Sequence, residues 1–182
     1  MPETLPITLF TPVPPMRAAS VSSVREAMEQ VAPGRPVSIE VLPDGVRIQA
    51  HKRGDEVRVF DASGTDVTDA MPAVVSAITS ADAEALVVEG FAVGENATPA
   101  FTDALLLDAP LLTRPLSERT SALAELMPVA QMNQATITDQ PVIADAFASH
   151  VRAQGHPAVV VKSLDSRYQP GTTDAWAEVV FR

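Results

Sequence analysis

Turn signals break the stretch from residue 37 to 60 into three short apolar-rich runs, 37–42, 45–51 and 56–60, and no other feature constrains the fold as tightly. The separators are Pro43-Asp44-Gly45 and Lys52-Arg53-Gly54-Asp55. Runs this short between Gly- and Pro-bearing turns read as strands, and their spacing predicts an antiparallel meander with Asp44-Gly45 as a tight hairpin turn. Helical signals lie on both sides. Ser23 and Glu26 stand at capping-box spacing, and Pro33-Gly34 stops that helix near Val31. Thr68 or Asp69 is placed to cap a short helix over 71–79. Leu116, Leu123 and Met127 share one face of a helix beginning near Ser117. Asp139 and Pro141 open another, on which Ile143, Phe147 and Val151 align and which Gly155 ends. Further strands are expected at 86–93, 104–107, 159–162 and 176–181. Antiparallel strands with intervening helices, and no strict strand–helix–strand repeat, make this an α+β chain. Pro2, Pro6, Pro12, Pro14 and Pro15 disfavour regular structure, so residues 1–15 are expected to form an extended arm on a domain spanning 16–182.

A chain of 182 residues that is 46 % apolar and 20 % charged can bury one core and is not disordered. The absence of cysteine removes disulfides, thiolate zinc sites and thiol nucleophiles together. No apolar run approaches the roughly 18 residues needed to span a bilayer. The opening MPETLPITLF lacks the basic flank of a signal peptide, so a cytoplasmic protein without membrane association is expected. The net charge of -10, from 13 Lys and Arg against 23 Asp and Glu, disfavours duplex DNA, whose binding draws on cation–phosphate contacts. The densest basic segment holds Arg47, His51, Lys52, Arg53 and Arg58, interrupted by Asp55 and Glu56. It reads as solvated charge around a hairpin, with weak, salt-sensitive DNA contact as the alternative. The chain has no Gly-x4-Gly-Lys-Ser/Thr loop, no Gly-x-Gly-x-x-Gly fingerprint and no Gly-x-Ser-x-Gly elbow. His150 and His156 flank a helix end without the spacing that puts two metal ligands on one face, and Asp82 and Glu84 read as loop carboxylates. No metal site is expected.

The stretch EVLPDGVRIQAHKRGDEVRVF, residues 40–60, resembles the nucleotide-attachment segment of ATP-dependent DNA ligases, where the pattern is Lys-x-Asp-Gly-x-Arg preceded by Glu-x. TPVPPM before it and DVTDAMPAVVSAI, EALVVEGFAV, LLTRPLSERTSALAELMP and AVVVKSLDSRYQPGTTDAWAEVVF after it continue the likeness in the same order. The resemblance therefore covers nearly the whole chain. It implies the nucleotidyltransferase fold shared by ligases and capping enzymes, with antiparallel sheets flanked by helices and a nucleotide cleft between them. It further implies ATP or AMP as ligand, with magnesium. In that family Glu40, Asp44, Gly45, Arg47, Lys162 and Trp176 would be remnants of the nucleotide site.

The family's chemistry is attack of a lysine amine on the α-phosphorus of ATP. The resemblance places Leu42 at that position, with Pro43 behind it, and an isobutyl group has no lone pair. Ala62, in Asp61-Ala62-Ser63-Gly64, stands where the family has the Arg of Ser-Arg-x-Gly. Phe91, in Glu89-Gly90-Phe91, replaces a metal-supporting carboxylate. Pro157 opens the segment matching Glu-Gly-x-x-x-Lys and keeps only Lys162. Trp176-Ala177-Glu178-Val179-Val180 keeps the Trp of Trp-x-Lys-x-Lys and puts Glu178 and Val180 at the lysines. Phosphoryl transfer depends on positioned cations, so these losses predict a fold without its chemistry. The expectation is a catalytically inactive homologue that binds a protein, a nucleotide or a DNA end. The alternatives are an active DNA ligase or nucleotidyltransferase using Lys162 or a partner's groups, and a non-covalent ATP- or AMP-binding module. The likeness also suggests a chain lacking both the oligonucleotide-binding-fold domain and the separate DNA-binding domain of its relatives, and shorter than them between Val93 and Phe101.

Overall fold

The computed structural model describes residues 6–182, so Pro2 and the first third of the expected arm lie outside the described residues. In chain order the elements are β1 (Met16–Ser20), α1 (Val24–Val31), β2 (Val37–Leu42), β3 (Gly45–Arg53), β4 (Glu56–Asp61), α2 (Pro72–Thr79), β5 (Ala85–Val93), β6 (Thr98–Leu107), β7 (Ala109–Pro110), α3 (Leu116–Leu126), β8 (Ala135–Thr138), α4 (Pro141–Ala153), β9 (Ala158–Ser163) and β10 (Gly171–Val180). They form two five-stranded sheets, ordered β1-β10-β9-β2-β8 and β4-β3-β5-β6-β7. Among the described residues every pairing between these strands is antiparallel except β1 with β10. The architecture is α+β, as the sequence predicts.

The meander is corrected in one respect. β2 belongs to the first sheet and β3 to the second, so Pro43-Asp44 carries the chain between sheets and is not a hairpin turn. Gly45 is required there by proximity: a Cβ on it would lie 2.6 Å from the Ala92 carbonyl oxygen of β5. Only the second separator closes a hairpin, between β3 and β4, with Gly54 at φ 55°. Turn residues specify a bend, and long-range pairing decides which sheet each strand joins.

α1 begins as predicted, with the Ser23 hydroxyl accepting from the Glu26 amide at 3.1 Å. The Glu26 carboxylate reaches one residue further back than the capping box requires, accepting from the Ser22 amide at 2.9 Å and from its hydroxyl at 2.5 Å. α2 has no side-chain cap. Thr68 sits in a 3-10 turn, and its hydroxyl accepts from the Val59 amide of β4 at 2.9 Å instead. On α4 the buried face is Ala144, Ala148 and Val151, while Ile143 is 45 % exposed and Phe147 is only partly covered. Small alanines let this helix lie close to the sheet, which apolar periodicity weighted by size misreads. β1 and β8 had no sequence signal; the first follows a proline-rich stretch and the second is four residues long.

Three apolar clusters result. α1 and α4 cover the outer face of the first sheet over Val37, Ile39, Val159 and Val161. α2 and α3 cover the outer face of the second over Ile48, Val59, Val88 and Phe101. Met16, Val87, Leu105, Tyr168 and Trp176 join the two sheets. β5 and β6 pack so closely that a Cβ on Gly90 would meet the Ala100 carbonyl oxygen at 2.4 Å and the Phe101 Cα at 2.7 Å. Both obstacles are backbone. Gly90→Ala is therefore expected to cost about 2–3 kcal/mol, in the upper range for overpacking, read as a lower urea midpoint at unchanged slope. A loss below about 0.5 kcal/mol would show that the strands part freely.

Candidate functional site

The inner faces of the two sheets border a cleft of about 510 Å³, walled by β1, by β2, β9 and β10, and by β3, β5 and β6. Leu42, the last residue of β2, is half-buried on its wall. Phe91 and Glu178 line it from β5 and β10, and Ala62 reaches it from the loop after β4. A smaller neighbouring cavity of about 230 Å³ lies between Pro12–Pro15 and the 61–64 loop, and shares Pro15, Arg47 and Ala62 with the cleft.

Strand register brings three predicted residues together. Lys162 on β9 lies opposite Trp176 on β10 and opposite Ser38 on β2, with Glu40 two residues further along that strand. All three are buried. Lys162 Nζ stands 2.5 Å from Glu40 Oε2 and 4.1 Å from the centre of the Trp176 ring. The contact is a buried salt bridge, both side chains being 5 % exposed. The Trp176 indole nitrogen donates to the Ser166 hydroxyl at 3.3 Å.

Arg47 is also held. Its Nη2 meets Glu89 Oε2 at 3.2 Å and its Nη1 donates to the Met16 carbonyl at 2.6 Å. Glu89, itself buried, accepts from Gln49 at 3.0 Å and from the Tyr168 hydroxyl at 2.5 Å. Burial, then the Glu89 charge, push the Tyr168 phenol far above its ordinary range, so it donates as a neutral hydroxyl.

The remaining predicted residues stand apart. Asp44 is exposed and does not line the cleft, and Gly45 packs against β5. Pro157 is exposed ahead of β9. Val180 shares a sheet face with Trp176 and Glu178 but is 52 % exposed and outside the lining, so it does not fill the cleft. The basic segment is dispersed: His51 and Lys52 are buried, Arg47 is paired, and Arg58 contacts Glu56 and Asp66 at 3.0 and 3.5 Å. Lys52 donates to the Ala81 carbonyl at 2.6 Å, beyond the end of α2. Alternation on β3 carries these charges into the protein, so the hairpin does not present them as one patch. Sequence reasoning missed Arg17, Thr102 and Asn133 on the cleft walls. Asn133 ties its loop to β2 by donating to the Val41 carbonyl at 2.8 Å, a contact across 92 positions that no local signal carries.

Two antiparallel-dominated sheets facing each other across such a cleft are the arrangement the resemblance implies for a nucleotidyltransferase fold, and solved DNA ligase structures share it. The pattern of the family described as "ATP dependent DNA ligase domain" matches residues 15–102. A probable DNA ligase of Streptomyces griseus is 32 % identical over 210 residues, and one of Kineococcus radiotolerans is 35 % identical over 192. These alignments cover 95 % and 92 % of this chain but 40 % and 38 % of the relatives, so the chain spans about two fifths of their length. The structure of mycobacterial DNA ligase D complexed with ATP and MES superposes with a TM-score of 0.68 at 22 % identity, over 91 % of this chain and 59 % of that one. These findings support a homologue of the ATP-dependent DNA ligase adenylation domain.

The cleft wall offers a triphosphate little compensating charge: Leu42, Ala62 and Phe91 are uncharged and Glu178 is acidic. Among the described residues there is no cluster of three or more His, Asp or Glu side chains able to hold a metal. Two cations at the cleft, the half-buried Arg47 and the buried Lys162, already carry carboxylate partners.

Proposed function

We propose that this domain is a catalytically inactive member of the ligase adenylation family that acts by binding. One observation carries the reading: Leu42 occupies the cleft wall at the end of β2, and the lysine on that wall, Lys162, is committed to Glu40 and Trp176. Covalent adenylation needs an amine free of its proton and in line with the α-phosphorus. Lys162 is not free for such an attack, its Nζ lying 2.5 Å from the buried Glu40 carboxylate and 4.1 Å from the centre of the Trp176 ring. The relatives' name of probable DNA ligase supports a setting in DNA repair; we further place the protein in the cytoplasm, with a protein partner or DNA end as the thing bound and any DNA contact weak. No helix among the described residues is long and apolar enough to cross a membrane.

Incubation with ATP labelled at the α-phosphate tests this. No radioactive band is expected on a denaturing gel, from the wild type or from Leu42→Lys. The substitution restores an amine but leaves Ala62, Phe91 and Glu178 in place, and transfer without cations to neutralise the phosphates stays slow. A labelled wild-type band would overturn the proposal. A band from Leu42→Lys alone would show that the rest of the cleft is still competent.

A further inference from the structure

We propose that the cleft takes an uncharged molecule of nucleoside size and excludes polyphosphates. This rests on the non-catalytic reading of the same site and names its ligand class. Among the described residues, the charged side chains on its walls are Arg17, Arg47, Lys162 and Glu178. Arg47 is paired with Glu89 at 3.2 Å and Lys162 with Glu40 at 2.5 Å, and both carboxylates are buried. Arg17 and Glu178 offset each other, so the cleft has no net positive charge to offer.

A phosphate chain reaching past the exposed Arg17 into this space would have to draw Arg47 or Lys162 away from its partner. That would strand Glu89 or Glu40 as an uncompensated buried anion, the costliest way to break such a pair. An uncharged ring system faces no such cost. It gains from the apolar wall of Val41, Leu42, Phe91 and Val160, and Thr102, Asn133 and Thr172 bring polar side chains to the lining. The volume of about 510 Å³ falls within the range of small-molecule sites.

Calorimetric titration of the full chain with adenosine, AMP, ADP and ATP, in magnesium-free buffer and again with magnesium, decides the matter. Affinity is expected to fall with each added phosphate, adenosine binding at least about tenfold more tightly than ATP. Glu178→Lys, which adds two units of positive charge at the wall, is expected to move the ATP-to-adenosine ratio toward or past unity. Glu178→Gln moves it part of the way and serves if the lysine variant does not fold. ATP binding as tightly as adenosine in the wild type overturns the proposal, as does an unmoved ratio in both folded variants. Failure of all four compounds to bind up to about 5 mM overturns it too, while leaving the absence of covalent adenylation untouched. A labelled covalent band would overturn both readings, since ATP must enter the cleft to give up its adenylate, whereas tight ATP binding without a band overturns this one alone.

Discussion

Arg119→Ala is expected to lower the unfolding free energy by about 3–5 kcal/mol, the cost of leaving a buried carboxylate without its counter-charge. Arg119 on α3 and Asp103 on β6 are 0 % and 1 % exposed. Their contact is bidentate, Nε to Oδ1 at 2.8 Å and Nη2 to Oδ2 at 3.0 Å, the geometry in which a guanidinium binds a carboxylate best. The remaining nitrogen, Nη1, donates to the Arg114 carbonyl at 2.7 Å and to the Ser166 carbonyl at 2.8 Å. One side chain thus fastens a helix, a strand and the loop between β9 and β10. That loop also carries Tyr168, whose ring lies 5.9 Å from the guanidinium carbon.

Arg119→Lys is expected to recover only part of the loss, since an ammonium cannot fork onto both carboxylate oxygens while reaching two carbonyls. The double replacement Arg119→Met with Asp103→Leu should be milder than Arg119→Ala alone, because it removes the stranded charge as well as its partner. Urea unfolding of the four proteins measures the ranking. A loss below about 1 kcal/mol for Arg119→Ala would mean that water reaches Asp103 and that the pair is not a buried fastening.

Arg119 also marks where sequence reading succeeds and where it stops. The apolar face of α3 was legible: Leu116 and Leu123 are buried as their spacing predicts. Arg119, between them on the helix, carries no sign of burial, because only its partner 16 residues earlier explains it. The capping serine of α1, the strand at β5 and the end of α4 before Gly155 were legible for the opposite reason, each being set by residues close in the chain. The separation of β2 from β3 was not, since Pro43-Asp44-Gly45 encodes a bend without saying what lies on either side. At the site, Leu42, Arg47, Phe91, Lys162, Trp176 and Glu178 were each named from sequence and do border one cleft. The pairing of Lys162 with Glu40 and of Arg47 with Glu89 was not foreseen, because register between strands decides it.

Acid should destabilise the protein through His51 before most carboxylates titrate. His51 is fully buried on β3, its Nδ1 accepting from the Phe10 amide at 3.0 Å and its Nε2 lying 2.7 Å from Gln49 Oε1. An amide pointing at Nδ1 leaves that nitrogen without a proton, so the neutral ring carries its hydrogen on Nε2. Burial holds the folded pKa at about 4, against an ordinary value of 6.5. The unfolded chain therefore binds the proton first. Above about pH 6.5 the group contributes no pH dependence; between there and about pH 4 stability falls by about 1.4 kcal/mol per unit, to a total of about 3 kcal/mol. Protonation would also set a second N–H against the Phe10 amide. Phe10 and Val13 are the arm residues that His51 and Gln49 grip, and Met16 is gripped in turn by Arg47 and Tyr168. Arg47, Gln49 and His51 alternate along one face of β3, so loosening at His51 passes to the segment whose Pro15, Met16 and Arg17 wall the cleft. In denaturant melts from pH 7 to pH 5, the wild type should lose about 2 kcal/mol more than His51→Gln. An imidazole that titrates near pH 6.5 by NMR in the folded protein, or equal losses in the two proteins, would show that the ring is open to water and that the arm is held by other contacts.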